Sequence, residues 1–249
     1  MPDGRAGPAG GHAAGRNSRG RCPAFFAPDY PSAENGYQPQ PSRRHPVAAT
    51  PAAIIGTILA GGQARRLGGL DKGLVEVGGR PMIEWIIEAL VPQVDALLIN
   101  ANRNPERYRR YGFPVIEDRL PDYQGPLAGF SAALEEVPAD AAILTVPCDS
   151  PVPPPDLAAR LLDALEADGA ELAVAHDGER LQPVYALIPA ALRDSLDAFL
   201  ASGDRKIDLW YARHRMATAE FTDRRDHFVN LNQPDDLARV QRLLHRAGA

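Results

Sequence analysis

The segment Ile54-Ile55-Gly56-Thr57-Ile58-Leu59 runs directly into Ala60-Gly61-Gly62-Gln63-Ala64-Arg65-Arg66-Leu67-Gly68-Gly69-Leu70-Asp71-Lys72. The first six residues form a short apolar run bounded by turn residues, as expected of a strand buried in a parallel sheet. The glycines that follow let backbone N–H groups approach an anion with no side chain in between. Arg66 and Lys72 add positive charge where a triphosphate would lie. This is not a Walker A loop, because no Gly-Lys-Ser/Thr follows, and it is not the Gly-x-Gly-x-x-Gly of dinucleotide folds. A glycine-rich loop alone is as readily a structural turn. Two basic residues at this spacing, straight after a buried strand, favour a phosphate site.

Outward from this loop, strand-like and helix-like stretches alternate. Pro81 opens a helical period through Met82-Ile83-Glu84-Trp85-Ile86-Ile87-Glu88-Ala89-Leu90, with proline well placed in a first turn. Residues 96–99 read as a second strand ending at Asn100, and Asn104-Pro105 opens a short helix carrying Arg107, Arg109 and Arg110. Residues 114–116 read as a third strand ending at Glu117-Asp118. A helix with small residues on one side follows at 127–137, then a fourth strand at 141–146 ending at Pro147-Cys148-Asp149, and a helix from Pro154-Pro155-Asp156 to about 167. Alternation of this kind predicts an α/β, Rossmann-like fold, with a mostly parallel central sheet and helices on both faces. Ligands of such sheets collect beyond the carboxyl ends of the strands. Four separate segments place polar residues there: the Gly loop, Asn100, Asp118 and Asp149. Each alone is an ordinary turn residue or cap; the four together point to a site. The later part is less regular, with strands at 171–175 and 181–187 around the turn His176-Asp177-Gly178-Glu179, a hairpin signal. A helix near 190–200, a strand at 216–221 and a helix at 234–244 complete it.

The chain has 249 residues, 45% hydrophobic and 24% charged, with net charge −5, enough to bury a core. Residues 1–52 differ from the rest, with six Arg, no Lys and three acids, a balance of +3 that leaves −8 for the remainder. Rich in Gly, Pro, Ser and Ala without apolar period, they read as a disordered extension ahead of one domain at 53–249. Arg43-Arg44 before an apolar stretch has the look of a twin-Arg export signal, but Pro46 and Pro51 break that stretch and it suits a first strand better. The charge balance lacks the basic footprint of a duplex nucleic-acid binder. No run approaches a membrane span, and Cys22 and Cys148 cannot form a disulfide framework or a Cys-rich zinc site.

The loop resembles the signature of nucleotidyltransferases that activate a phosphate or sugar phosphate with a nucleoside triphosphate. More closely, the chain resembles the molybdenum cofactor guanylyltransferase family. The likeness continues through Asn100-Ala101-Asn102-Arg103, Val115-Ile116-Glu117-Asp118, Gly125-Pro126-Leu127-Ala128-Gly129, Pro147-Cys148-Asp149-Ser150-Pro151, His176-Asp177-Gly178-Glu179 and Phe228-Val229-Asn230-Leu231-Asn232-Gln233-Pro234. It covers about residues 54–240. Leu67 stands where the family usually has Met, a swap of similar volume, and the N-terminal extension has no counterpart. The resemblance implies transfer of GMP from GTP to the terminal phosphate of molybdopterin, with release of pyrophosphate. It implies nucleotide contacts from Leu59, Ala60, Gly61, Lys72, Asn100, Asp118 and Asp149, with Mg²⁺ on Asp149, and a pterin side near Arg205, Lys206, Asn230 and Asn232. It also implies a cytoplasmic location and, as partners, GTP, the pterin cofactor and molybdoenzymes or cofactor-delivery proteins.

The physics of the reaction fits these roles. A phosphate nucleophile is already an anion and needs no strong base; what it lacks is charge neutralisation. Lys72, a metal-bearing carboxylate and loop N–H groups would supply that, and Arg66 could grip the β- and γ-phosphates with its fork. Cys148 as a catalytic thiol lacks a nearby His in its motif and reads as a small residue at a buried strand end; Ser150 likewise lacks a base. The arginines at 103, 107, 109 and 110 read as a solvated face. Asn232 serves equally well as an N-cap for the following helix. Two alternatives stay open: a cytidylyl- or sugar-phosphate nucleotidyltransferase of the same fold, and a non-catalytic nucleotide or cofactor carrier. Retention of both Lys72 and Asp149 speaks against the carrier.

Overall fold

A computed structural model describes residues 50–62, 71–119 and 125–231, together with 236, 240–242 and 244. Arg66, Asn232, the Arg43-Arg44 pair and most of the expected helix at 234–244 lie outside the described residues.

The central element is β1 (Ile54–Leu59). It pairs in parallel with β4 (Ala96–Asn100) on one side and with β6 (Ala142–Pro147) on the other. β4 in turn pairs in parallel with β5 (Val115–Ile116). Beyond β6 the direction reverses, because β8 (Leu181–Pro189) is antiparallel both to β6 and to β7 (Leu172–His176). β9 (Met216–Glu220) then runs parallel to β7 at the far edge. The seven-stranded order is β5-β4-β1-β6-β8-β7-β9, so the mostly parallel α/β sheet expected from the sequence is the sheet found.

Side chains alternate across this sheet with the two-residue period of a strand. Ile58, Leu97, Ile99, Leu144 and Val146 face one side, where α1 (Met82–Leu90) and α4 (Leu157–Ala167) bring Ile83, Ile86, Leu90, Leu157, Leu161 and Leu165. Ile55, Leu98, Ile143, Val174 and Ile188 face the other, against α3 (Pro126–Glu136), α5 (Arg193–Ala201) and α6 (Ile207–Tyr211). Gly56 in β1 is a packing glycine: a Cβ there would stand 2.7 Å from Leu97 Cδ1.

Three of the elements that escaped the sequence reading stand out. One is α6, which buries Trp210 and Tyr211. Another is the 3₁₀ stretch Thr222–Phe228. The third is a small ribbon, β2 (Glu76–Val77) and β3 (Arg80–Pro81), turned by Gly78 and Gly79 at φ +62° and +79°. Positive φ at both turn positions is the requirement of a type I′ hairpin. The short helix opened by Asn104-Pro105 is α2 (Pro105–Tyr108), with Pro105 in its first turn and Tyr108 buried. The expected hairpin at His176-Asp177-Gly178-Glu179 joins β7 to β8, with Gly178 at φ +95°.

Leu161 is fully buried between α4 and the sheet. Leu161→Ala should lower the unfolding free energy by about 2–5 kcal/mol in a urea titration, the loss typical of a buried leucine that leaves a cavity. A loss well under 1 kcal/mol would contradict this packing.

Candidate functional site

Because β1, β4, β5 and β6 run in one direction, their carboxyl ends share one edge. The chain leaves β1 for β4 and β5 on one side and later enters β6 on the other, so the strand order switches between β1 and β6. A crevice beyond that switch is where open α/β sheets bind ligands.

On the β4 side the polar residues form one connected group. Asn100 ends β4 and is nearly fully buried. Its carbonyl accepts the Ala60 N–H at 2.7 Å, and its amide donates to Asp118 Oδ1 at 2.9 Å. Asn102, which the sequence reading quoted but gave no role, holds Asp118 from a second direction. Its amide donates to Asp118 Oδ2 at 2.6 Å, and its side-chain oxygen accepts the Asp118 N–H at 2.7 Å. The same amide lies 3.5 Å from the Gly61 carbonyl. Asparagines two apart, one ending a strand and one just past it, were the available signal, since such spacing returns side chains to one side of extended chain. Two glycines are required by close approach. A Cβ on Gly61 would stand 2.8 Å from Asn102 Nδ2, and one on Gly129 of α3 would stand 2.7 Å from Asn100 Oδ1 and 2.8 Å from Leu59 Cδ2.

On the β6 side, Lys72 Nζ donates to Asp149 Oδ2 at 3.0 Å, with both side chains largely but not fully covered. Lys72 opens a 3₁₀ turn, Lys72–Leu74, and Asp149 lies just beyond β6. Leu59 of β1 and Pro147 of β6 stand opposite each other in the ladder, and the Leu59 carbonyl accepts the Cys148 N–H at 3.1 Å. The two halves of the site are thus held together through β1. Asp71, next to Lys72, is buried and accepts the Tyr108 hydroxyl at 2.5 Å.

Among the pterin-side candidates, Asn230 accepts a hydrogen bond from the buried Ser150 hydroxyl at 2.5 Å, which ties it to the Asp149 segment. The Arg205 guanidinium donates to the Leu200 carbonyl near the end of α5 and to the carbonyl of the neighbouring Asp204. Lys206 is exposed just before α6. Antiparallel packing of α5 on α3, marked by Ser131 Oγ to Asp197 and by Arg193 to the Leu134 carbonyl, sends the chain after α5 toward the site edge of the sheet. His176 accepts the Gly178 N–H, a hairpin contact. Asp177 is a buried hairpin anchor. Burial acts to raise its pKa, but the N–H groups of Arg180 and Glu179 and the Gln182 amide outweigh that and hold it below the usual carboxylate value. Arg107, Arg109 and Arg110 are exposed, as the solvated reading expected, whereas Arg103 is half-buried.

Among the described residues no group of three or more His, Cys, Asp or Glu is arranged to hold a metal. Asp149 still fits a metal of one kind. Its Oδ1 carries no hydrogen bond to a described residue, and Mg²⁺ characteristically takes one or two carboxylates and completes its shell with phosphate oxygens and water.

A family model described as the MobA-like NTP transferase domain matches residues 56–219. The molybdenum cofactor guanylyltransferase of Shewanella sp. strain ANA-3 is 55% identical over 187 residues, covering 75% of this chain and 94% of that protein. Its counterpart in Shewanella amazonensis is 51% identical over 191 residues, covering 77% and 97%. The crystal structure of molybdopterin-guanine dinucleotide biosynthesis protein A from Archaeoglobus fulgidus superposes with a TM-score of 0.63 at 23% identity, covering 77% of this chain and 99% of that one. A 4-diphosphocytidyl-2C-methyl-D-erythritol synthase from Anaerococcus prevotii reaches 0.62 at 12% identity, covering 78% and 96%. At these identities the two structures speak for the fold alone.

Cys148 tests the assignment of the site to charges rather than to a nucleophilic thiol. Burial, followed by the nearby Asp149 and Asp71, pushes its thiol far above the usual range, so it stays protonated at neutral pH. At pH 8 iodoacetamide should alkylate Cys148 in the folded protein about 10²-fold or more slowly than in the urea-unfolded chain, read by peptide mass spectrometry, because the thiolate is the reactive form. Comparable rates in the two states would reveal a reactive thiol.

Proposed function

The chain belongs to the MobA-like NTP transferase family, and from that premise we propose that it transfers GMP from GTP to the terminal phosphate of molybdopterin. Pyrophosphate leaves, and the guanine dinucleotide form of the molybdenum cofactor results. The observation that carries the reading is the Lys72–Asp149 pair, set at the strand-order switch where β6 ends beside Leu59 of β1. Guanylyl rather than cytidylyl transfer is supported by the guanylyltransferase names of the relatives above half identity.

The roles follow from chemistry. A phosphate oxygen of the pterin substrate forms a bond to the α-phosphorus of GTP as the bond from that phosphorus to the bridging oxygen of pyrophosphate breaks. No proton has to be removed from the nucleophile. The difficulty is that an anion approaches an anion, and fixed positive charge lowers that barrier more in a partly closed site than in water. Lys72 would stabilise charge on the phosphates. Mg²⁺, when bound at Asp149, would supply further neutralisation of the leaving pyrophosphate. Leu59, Ala60 and Gly61 would line the nucleotide with backbone. Asp118, an acceptor held by Asn100 and Asn102, would pair with donors on the nucleoside, such as the N1–H and amino group of guanine or the ribose hydroxyls. Asn230 and Lys206 would face the pterin phosphate, with Arg205 holding the segment before α6. Arg66 and Asn232 take their proposed roles from the motif alone. Precise placement of the two reacting phosphates would account for much of the remaining acceleration.

Among the described residues no helix is long and apolar enough to cross a membrane, and a cytoplasmic place of work belongs to the same proposal.

The test incubates the full chain with Mg²⁺, molybdopterin with and without its metal, and each nucleoside triphosphate in turn, with pyrophosphate measured. Release with GTP is expected. Release with CTP instead would select cytidylyl transfer, and nucleotide binding without release would select a carrier. Lys72→Ala and Asp149→Ala should each lower turnover by about 10²-fold or more, the scale of a lost transition-state charge contact. Near-normal rates in both would mean that the reaction takes place elsewhere.

A further inference from the structure

We infer that Tyr108 is a positioning residue for Lys72: through the Asp71 carboxylate, its buried hydroxyl fixes where the Lys72 ammonium stands opposite Asp149. The inference rests on the role proposed for Lys72.

The segment 71–73 is wedged between α2 and the end of β6. Tyr108 is completely buried and gives its hydroxyl proton to Asp71 Oδ1 at 2.5 Å. Asn104 Nδ2 stands 3.4 Å from the other Asp71 oxygen. The Asp71 carbonyl accepts the Leu74 N–H at 3.0 Å and the Lys72 carbonyl accepts the Val75 N–H at 3.1 Å, so the turn that carries Lys72 starts at the residue Tyr108 grips. Position 73 must be glycine for the same reason, since a Cβ there would stand 2.7 Å from the Tyr108 hydroxyl and 3.5 Å from Cys148 Cβ. Burial above all holds the Tyr108 phenol far above its ordinary pKa, so it remains a donor throughout the working range. A buried carboxylate beside a catalytic lysine would otherwise compete for its ammonium. Here Asp71 is occupied by Tyr108 and Asn104, and the Lys72 ammonium donates to Asp149.

A bond that serves only packing lowers activity, if at all, by the same factor whatever residue occupies position 72. A positioning bond matters only while Lys72 is present, and a double-mutant cycle separates the two. The chain offers a second readout, because Lys72 and Lys206 are its only lysines. Lys206 is exposed and serves as an internal standard. Tyr108→Phe and Asp71→Asn are each made with Lys72 and with Lys72→Ala. Turnover of GTP with Mg²⁺ and molybdopterin is measured, and acetylation of the two lysines by acetic anhydride is followed in the ligand-free full-length protein by mass spectrometry.

With Lys72 present, each variant should lower kcat about tenfold, the scale of a small misplacement of a catalytic group. In the Lys72→Ala background each should change kcat by less than about twofold, as expected of residues acting through one another. The Lys72 to Lys206 acetylation ratio should rise several-fold in both variants. Equal losses in the two backgrounds, or an unchanged acetylation ratio, would overturn the inference. A wild-type chain that releases no pyrophosphate from GTP would instead overturn the proposed function, and the acetylation ratio would still decide whether Tyr108 holds Lys72.

Discussion

A strand paired in parallel on both sides obliges the chain to leave its carboxyl end, cross a face of the sheet and return beside it. In this protein that strand is β1, between β4 and β6. The crossovers supply the helices that bury both faces, and each return places another carboxyl end on the same edge. Leu59, Asn100, Asp118 and Asp149 therefore meet, although they are spread over some ninety residues of sequence. Nothing about the individual residues would collect them there; the direction of the strands does. The reversal at β8 then ends the run of parallel strands at β6, so the Asp149 end closes the group.

The site has two halves of different character. On the β4 side a carboxylate is held by two side-chain amides, one of which also accepts the Asp118 backbone N–H, in a lattice of short hydrogen bonds with no cation among them. On the β6 side a carboxylate faces an ammonium. The first suits recognition of a neutral, hydrogen-bonding nucleoside, and the second suits the handling of phosphate charge. Glycines at 61, 73 and 129 are the seams between halves and supports, since each has a neighbouring side-chain atom where its Cβ would be.

The architecture was readable because its signals are local. The apolar run at Ile54–Leu59 and the polar residues after each strand gave strand positions within a residue or two, and from them the shared edge. The ribbon of β2 and β3 was missed although Gly78-Gly79 between Val77 and Arg80 is a hairpin signal, because its strands are too short to show alternation. The helix α6 was missed because five residues cannot display a helical period. At the site, the strand-end residues were legible and their supports were not. Asn102 and Tyr108 act through contacts with Asp118 and Asp71 that lie 16 and 37 residues away in sequence. Spacing carries no trace of such partners, and only the fold brings them together. Arg205 shows the converse: basic, and suitably placed by motif, it donates from Nη1 to the Leu200 carbonyl near the end of α5 and to the Asp204 carbonyl beyond it.

The backbone carbonyl of Asp149 accepts the Leu231 N–H at 2.7 Å, and the Ser150 hydroxyl donates to the Val229 carbonyl. The Asp149–Ser150 segment is thus propped by a stretch made much later on the ribosome, 79 residues after Ser150 in the second of these bonds. A nascent chain can lay down β1, β4, β5 and β6 and still lack this support. This edge of the sheet is therefore completed only by the last part of the chain to be made.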